Sequence, residues 1–255
     1  MTTLPYRDTG RGTTVLLVHG VGLGARHLSA VADRVGEHAR VIVPDRPGYR
    51  RANDLVATSL DDHIDMLIAT LESISTAPAI YVGVSGGATL GIGVAARAPE
   101  LLRGVILHEP LLGSLVPELQ AQIRIGSERL ANDAGELASV EFVRQLVGRE
   151  VWTMLDHQDV DEIARLDRII REEVDAFARV EFSEAELARL RDLPITTTVG
   201  RASPPIRHLA ATVLAEHSGA RVSELPGSHF VPLAAPDAFA RAICELLVET
   251  EPASA

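Results

Sequence analysis

One serine and one histidine carry the chemistry that can be read in this sequence. Ser85 lies in Gly83-Val84-Ser85-Gly86-Gly87, a G-x-S-x-G pentapeptide that ends the apolar run 79–84 and leads straight into a helical pattern over 88–98. A serine on so sharp a strand-to-helix turn needs a strained backbone. Side chains at 83 and 87 would clash there, and the turn exposes the hydroxyl at the head of the helix. That hydroxyl is a poor nucleophile until a base takes its proton. His229, in the short loop Gly227-Ser228-His229 before the final helical pattern, is the imidazole placed to do so. The N–H of Gly86, at the helix N-terminus, is a candidate for holding a developing oxyanion.

A second glycine-rich stretch admits two readings. Gly20-Val21-Gly22-Leu23-Gly24-Ala25 follows an apolar run, and Asp45 stands about 20 residues further on, which fits a dinucleotide fingerprint. Alternatively, His19-Gly20 is a turn after a strand, and the N–H of Val21 is the other half of an oxyanion hole. The stretch alone does not choose; the pentapeptide around Ser85 favours the second reading.

The elements that must position these residues follow from the hydrophobic pattern. Apolar runs recur at 13–18, 40–43, 79–84, 104–107, 195–199 and 220–225, with helical spacing over 60–74 and 88–98. Alternation of strand and helix predicts crossover connections and a mostly parallel, doubly wound α/β sheet. The rhythm stops after Pro110. Residues 111–190 contain no convincing strand, and Val160, Ile163, Leu166, Ile170, Val174 and Phe177 form one helical stripe. This predicts a core of 1–110 and 191–255 with an all-helical lid inserted at 111–190. The lid holds 17 acidic residues against 9 arginines, so most of the chain's net charge of −11 is expected on its solvated face.

Composition narrows the function further. The 255 residues contain no lysine, which excludes a Walker-type phosphate lysine and Schiff-base chemistry, and the acidic balance counts against nucleic acid as a partner. The one cysteine, Cys244, falls in the last helical pattern and reads as a buried apolar residue; disulfides and cysteine-rich metal sites are excluded. Neither a metal nor an organic cofactor is expected. No apolar run approaches the roughly 20 residues of a membrane span, and the N-terminal stretch has no signal-peptide core, so a cytoplasmic protein is expected.

Taken together, His19-Gly20 after an early strand, VIVPDRPGYRR at 41–51, the Ser85 pentapeptide and the late Gly-Ser-His loop resemble the α/β-hydrolase superfamily, in a serine-nucleophile form with a helical lid. The likeness spans 13–110 and 191–248. It implies an eight-stranded core, of which six strands are legible plus one near 4–8. It also implies a structural turn at Asp45 to Tyr49 and a His19 that shapes the oxyanion loop. In most such proteins the acid that orients the histidine follows the strand corresponding to 195–199. Here Ser203 holds that position, and no aspartate or glutamate lies between Pro194 and Ala215. Some α/β-hydrolases, haloalkane dehalogenases among them, take the acid from the end of the preceding core strand. That strand reads GVILHEP, which makes Glu109 the candidate. The alternatives for Glu109 are a cap on the first lid helix or a partner for an arginine at the lid hinge, with Ser85 and His229 then working without an acid. His108 reads as structural or pocket-lining.

The resemblance thus implies a serine hydrolase acting through an acyl-enzyme on a small, largely neutral substrate: a carboxylic ester, a lactone or a thioester. Leu112, Leu115, Phe142, Trp152 and Met154 are the candidate pocket walls from the lid. A displaced or missing acid keeps a non-hydrolytic member of the fold in view (lyase, cyclase or isomerase, perhydrolase), and because fold alone does not fix function, a non-catalytic ligand-binding protein is a second alternative. The expected partner is a small-molecule substrate, without nucleic acid or membrane, and a homodimer is compatible with the sequence.

Overall fold

The computed structural model describes residues 2–74, 77–133, 135 and 137–251. Seven strands build one sheet in the order β1-β3-β2-β4-β5-β6-β7. They are β1 (Tyr6–Thr9), β2 (Thr14–Val18), β3 (Arg40–Pro44), β4 (Ala79–Val84), β5 (Leu102–His108), β6 (Ile195–Gly200) and β7 (Arg221–Leu225). Every neighbouring pair is parallel except β1 with β3. The central strands β2, β4 and β6 are buried at every position, which explains why they read as unbroken apolar or β-branched runs.

Side chains alternate across the sheet with period two. Val15 and Leu17 of β2 face one core, where α1 (Ser29–Val35) and α11 (Pro236–Glu249) add Val31, Phe239 and Ile243. Leu16 and Val18 face the other, where α2 (Leu60–Ile74) and α3 (Gly86–Arg97) add Ile64, Leu67 and Leu90. Each fully buried aliphatic side chain contributes about 1.5–3 kcal/mol. Cys244, on α11, is half-buried at the margin of the first core rather than inside it.

The sheet departs from expectation at its β1 edge. The resemblance implied eight strands, and the described residues form seven. In the stretch before β1 the buried Leu4 donates its N–H to Thr70 Oγ1 of α2, at 2.9 Å.

Between β5 and β6 the described residues form no strand. They form α4 (Pro117–Asn132), α5 (Leu137–Trp152, interrupted at Gly148, φ 75°), α6 (His157–Arg165), α7 (Asp167–Ala178) and α8 (Glu184–Arg189). The expected stripe is buried at Ile163, Leu166, Ile170, Val174 and Phe177, but it belongs to two helices. Leu166 leaves helical geometry (φ −85°, ψ 6°), and α7 begins at Asp167. Much of the acidic excess is exposed and paired along helices, as in Arg168–Glu172 and Arg179–Asp175. Asp159 and Glu173 depart from that expectation: both are buried and bonded across to the core. After β6 the chain forms α9 (Pro205–Ser218), and after β7 the short α10 (Val231–Ala234). No helix among the described residues is long and apolar enough to cross a membrane.

Candidate active site

The ends of β4, β5 and β6 and the loop after β7 converge at one edge of the sheet. Ser85 occupies the β4–α3 turn at φ 53°, ψ −119°, a conformation that L-residues hold only where the surroundings enforce it. Two glycines make room for it. A Cβ at Gly83 would lie 2.4 Å from the Gly87 carbonyl oxygen, and one at Gly87 would lie 2.4 Å from that of Val18. The Ser85 N–H donates to the His108 carbonyl at 2.8 Å, which ties the turn to β5.

His229 stands between Ser85 and Glu109. Its Nε2 is 3.0 Å from Ser85 Oγ and its Nδ1 is 2.6 Å from Glu109 Oε2. A proton on Nδ1 bonds to the carboxylate and leaves Nε2 free to accept from the serine hydroxyl. Glu109 is the first residue past β5, with φ 49°, and its N–H donates to the Thr198 carbonyl at 3.1 Å. Its side chain is buried and fully used. Oε1 accepts from the Gly200 N–H at 2.8 Å and from the Ser203 hydroxyl at 2.5 Å, and Oε2 accepts from His229. It therefore neither caps the first helix of the insertion nor pairs with an arginine there. The arginine beside it is Arg207 of α9, whose Nη1 donates to the Glu109 carbonyl at 3.3 Å.

Electrostatics hold this set ready for proton transfer. Burial opposes the Glu109 charge, but the hydrogen bond from His229, the positive charges that His229 and His108 take on in acid, and the Arg207 guanidinium outweigh it, so the carboxyl stays well below the usual carboxylate range. His229 is pushed below its ordinary value, first by burial and then by Arg207, against the pull of Glu109. At neutral pH the pair is a carboxylate and a neutral imidazole. His108 is fully buried, and burial lowers it to about 4. Its Nε2–H donates to the His229 carbonyl at 3.0 Å and its Nδ1 accepts from the Thr198 hydroxyl at 2.9 Å. It is therefore structural rather than pocket-lining, and it holds the backbone of His229.

The glycine-rich loop lies against the serine. A Cβ on Gly20 would stand 3.0 Å from Ser85 Cβ. His19 donates from Nδ1 to the Gly20 carbonyl at 2.9 Å and accepts at Nε2 from the Arg46 N–H at 3.2 Å, so it shapes the loop as a neutral ring. The N–H groups of Val21 and Gly86 have no hydrogen-bond partner among the described residues. The dinucleotide reading meets a filled space. Cβ positions at Gly22 and Gly24 would lie 2.5 Å from Val143 and 3.2 Å from Tyr49, which leaves no room for a pyrophosphate.

Sequence reasoning missed the network that fixes this loop. The Arg46 guanidinium donates to the Gly20 carbonyl and to Glu173, and Tyr49 donates to Glu173 while accepting from the Gly22 N–H. The available signal was spacing: Glu173 falls three residues after Ile170 and four before Phe177, on the apolar face of α7.

A cavity of about 840 Å³ reaches His229 from between α4, α5 and the first turn of α9. Of the five expected wall residues, Phe142 lines it and the other four do not. Leu112 is buried in the core, Leu115 and Trp152 pack against that core, and Met154 is 53% exposed. Trp152 and Met154 follow the Gly148 break, so they do not continue the α5 face that carries Phe142 and Leu146 to the cavity.

Comparison with known proteins agrees with this architecture. A zearalenone hydrolase from Bionectria ochroleuca is 27% identical over 94% of this chain and 92% of its own length. An uncharacterized hydrolase of Bacillus subtilis is 34% identical, but the match covers 44% of this chain and 42% of that protein. The enol-lactonase from Burkholderia xenovorans superposes with a TM-score of 0.78 at 18% identity, over 96% of both chains, a likeness of fold. The model of the alpha/beta hydrolase family matches residues 15–242, and the chain therefore belongs to that family.

Proposed function

We propose that the protein is a serine hydrolase that cleaves a small acyl substrate, a carboxylic ester, lactone or thioester, through an acyl-enzyme. The observation that carries this reading is the unbroken hydrogen-bonded line Ser85–His229–Glu109, with distances of 3.0 and 2.6 Å, beside a cavity that reaches His229. Ser85 Oγ attacks the carbonyl carbon as His229 Nε2 takes its proton. The N–H groups of Val21 and Gly86 receive the oxyanion, and Glu109 stabilises the imidazolium. His229 then protonates the leaving oxygen or sulfur, and a water deprotonated by the same imidazole releases the acid and restores Ser85.

In this reading residues 111–190 act as the lid over a core of 1–110 and 191–255, and the chain works in the cytoplasm. Hydrolysis is supported by the relative that matches along most of both chains, a hydrolase acting on zearalenone. The lyase, cyclase, isomerase and perhydrolase alternatives drew on a displaced or missing acid, and a carboxylate bonded to His229 counts against a missing one; the binding-protein alternative rests on fold alone. The test is fluorophosphonate labelling with turnover of short p-nitrophenyl esters. Wild type is expected to label at Ser85 and turn over, and Ser85→Ala to do neither. A wild type that neither labels nor turns over rejects the reading.

A further inference from the structure

The cavity beside His229 has an unusual wall. Arg207, in the first turn of α9, is 7% exposed and lines the cavity next to Pro204, Ile206 and His229. A guanidinium so deeply desolvated normally spends its five N–H donors on protein acceptors. Arg207 spends one, on the Glu109 carbonyl. Its Nε is 3.8 Å from Glu109 Oε2, too long for a hydrogen bond, and that carboxylate already accepts from His229, Gly200 and Ser203. The remaining Arg207 donors have no partner among the described residues, and the residue lines the cavity.

We propose that Arg207 is an anion-binding subsite, and that the acyl substrate carries a carboxylate which this guanidinium receives while Ser85 attacks the ester, lactone or thioester carbonyl. The proposal rests on the serine hydrolase reading and narrows its substrate class, replacing the largely neutral substrate expected from sequence. The fork of a guanidinium matches a carboxylate in geometry, and the N-terminus of α9 adds partial positive charge on the same wall. Ile123, Leu130, Phe142 and Leu146 supply an apolar part of the lining, which suits a short apolar chain between the two functional groups, while Arg129 and Gln145 are among its polar residues. Of the acids on the lining, Glu141 is already held by Arg144 and Gln145, and Asp133 accepts from the Gly135 N–H.

Local electrostatics point the same way. When His229 takes the serine proton an oxyanion forms at the carbonyl, so the net charge of the site is unchanged, but the new imidazolium stands close to a second cation, Arg207. Arg207 opposes that protonation, as its lowering effect on His229 records. An anion bound to Arg207 offsets that local repulsion as the imidazolium forms, so a substrate carboxylate raises turnover as well as affinity.

The test compares two esters with the same six-carbon acyl chain, mono-p-nitrophenyl adipate and p-nitrophenyl hexanoate, on wild type, Arg207→Met and Arg207→Lys. Wild type is expected to favour the adipate in kcat/KM by tenfold or more, with part of the gain in kcat. Arg207→Met should collapse that ratio to near one, and Arg207→Lys should restore part of it. A wild-type preference for the hexanoate, or a ratio unchanged in Arg207→Met while both activities fall, overturns the subsite and leaves Arg207 as a counter-ion of Glu109. Adipate itself gives a readout independent of turnover: it should raise the melting temperature of wild type and not of Arg207→Met, and equal shifts in both reject the proposal. Loss of fluorophosphonate labelling at Ser85 in wild type would instead reject the hydrolase reading, with the adipate shift still reporting on the subsite.

Discussion

Ser203 Oγ lies 2.5 Å from Glu109 Oε1: the residue standing where a triad acid was expected donates a hydrogen bond to the carboxylate that reaches His229 from the neighbouring strand. The two positions face one another across β5 and β6, so an acid from either strand end meets the same histidine. Ser203→Ala should cost about 1.5–3 kcal/mol of stability, the worth of a hydrogen bond to a charged group, as read by urea unfolding. Ser203→Asp sets a second carboxylate against Glu109 and should lower turnover. The double variant Glu109→Gln/Ser203→Asp should recover more activity than Glu109→Gln alone; failure to do so means that the two positions are not interchangeable.

Glu109→Gln keeps the shape of the side chain but removes the charge that steadies the imidazolium and fixes its tautomer. Turnover of p-nitrophenyl esters near neutral pH should fall by about 10³–10⁴-fold with KM little changed. Full activity at every pH would show that Glu109 is not the acid.

The pH profile follows from the direction of the His229 shift. In the proposed mechanism the reactive form is the neutral imidazole, and burial with the Arg207 charge holds its value below the usual 6.5. The midpoint of the acid limb of kcat/KM should therefore lie below pH 6.5. An acid limb above it contradicts the burial and the Arg207 charge seen at this ring.

Buried neutral histidines also set acid stability. His108 is lowered to about 4 and His63 to about 3, in each case chiefly by burial. Below the unfolded value near 6.5 the unfolded chain binds these protons and the folded protein does not, so stability falls as the pH drops through that value. At about pH 5 each ring accounts for about 2 kcal/mol of loss relative to neutral pH. Urea midpoints measured from pH 7 down to about pH 5 check this, and His108→Asn should flatten part of the slope.

The Arg46–Glu173 pair predicts a coupled defect. Both groups are buried, so removing one leaves the other unpaired, and Glu173→Ala should cost about 3–5 kcal/mol by chemical denaturation. Because Arg46 also holds the Gly20 carbonyl beside Ser85, kcat should fall more than KM rises. The double variant with Arg46→Met should cost less than the sum of the single changes.

The local code of the chain was legible from one end of the sheet to the other. Apolar, β-branched runs marked six of the seven strands and the seventh was expected near 4–8, while the space that Ser85 needs marked Gly83 and Gly87. The chain order of Ser85 and His229 was equally readable, because each lies in a short segment whose residue types serve a local turn. Which apolar residues line the cavity was not legible, and four of the five expected do not, since an apolar residue in a helix reads alike whether it faces a cavity or a core. Nor was the break at Leu166, where the stripe keeps its spacing while the backbone turns.

What the sequence alone determined was therefore what spacing along one segment determines: the strands, the elbow, the helical insertion and a carboxylate at the end of β5. Tertiary structure decided which groups meet: Glu109 with His229 across 120 positions, Ser203 with Glu109 across 94, and Arg46 with Glu173 across 127. The physical reason is that a hydrogen bond depends on distances of a few ångströms in space. Separation along the chain does not encode those distances until the sheet brings its strand ends to one edge.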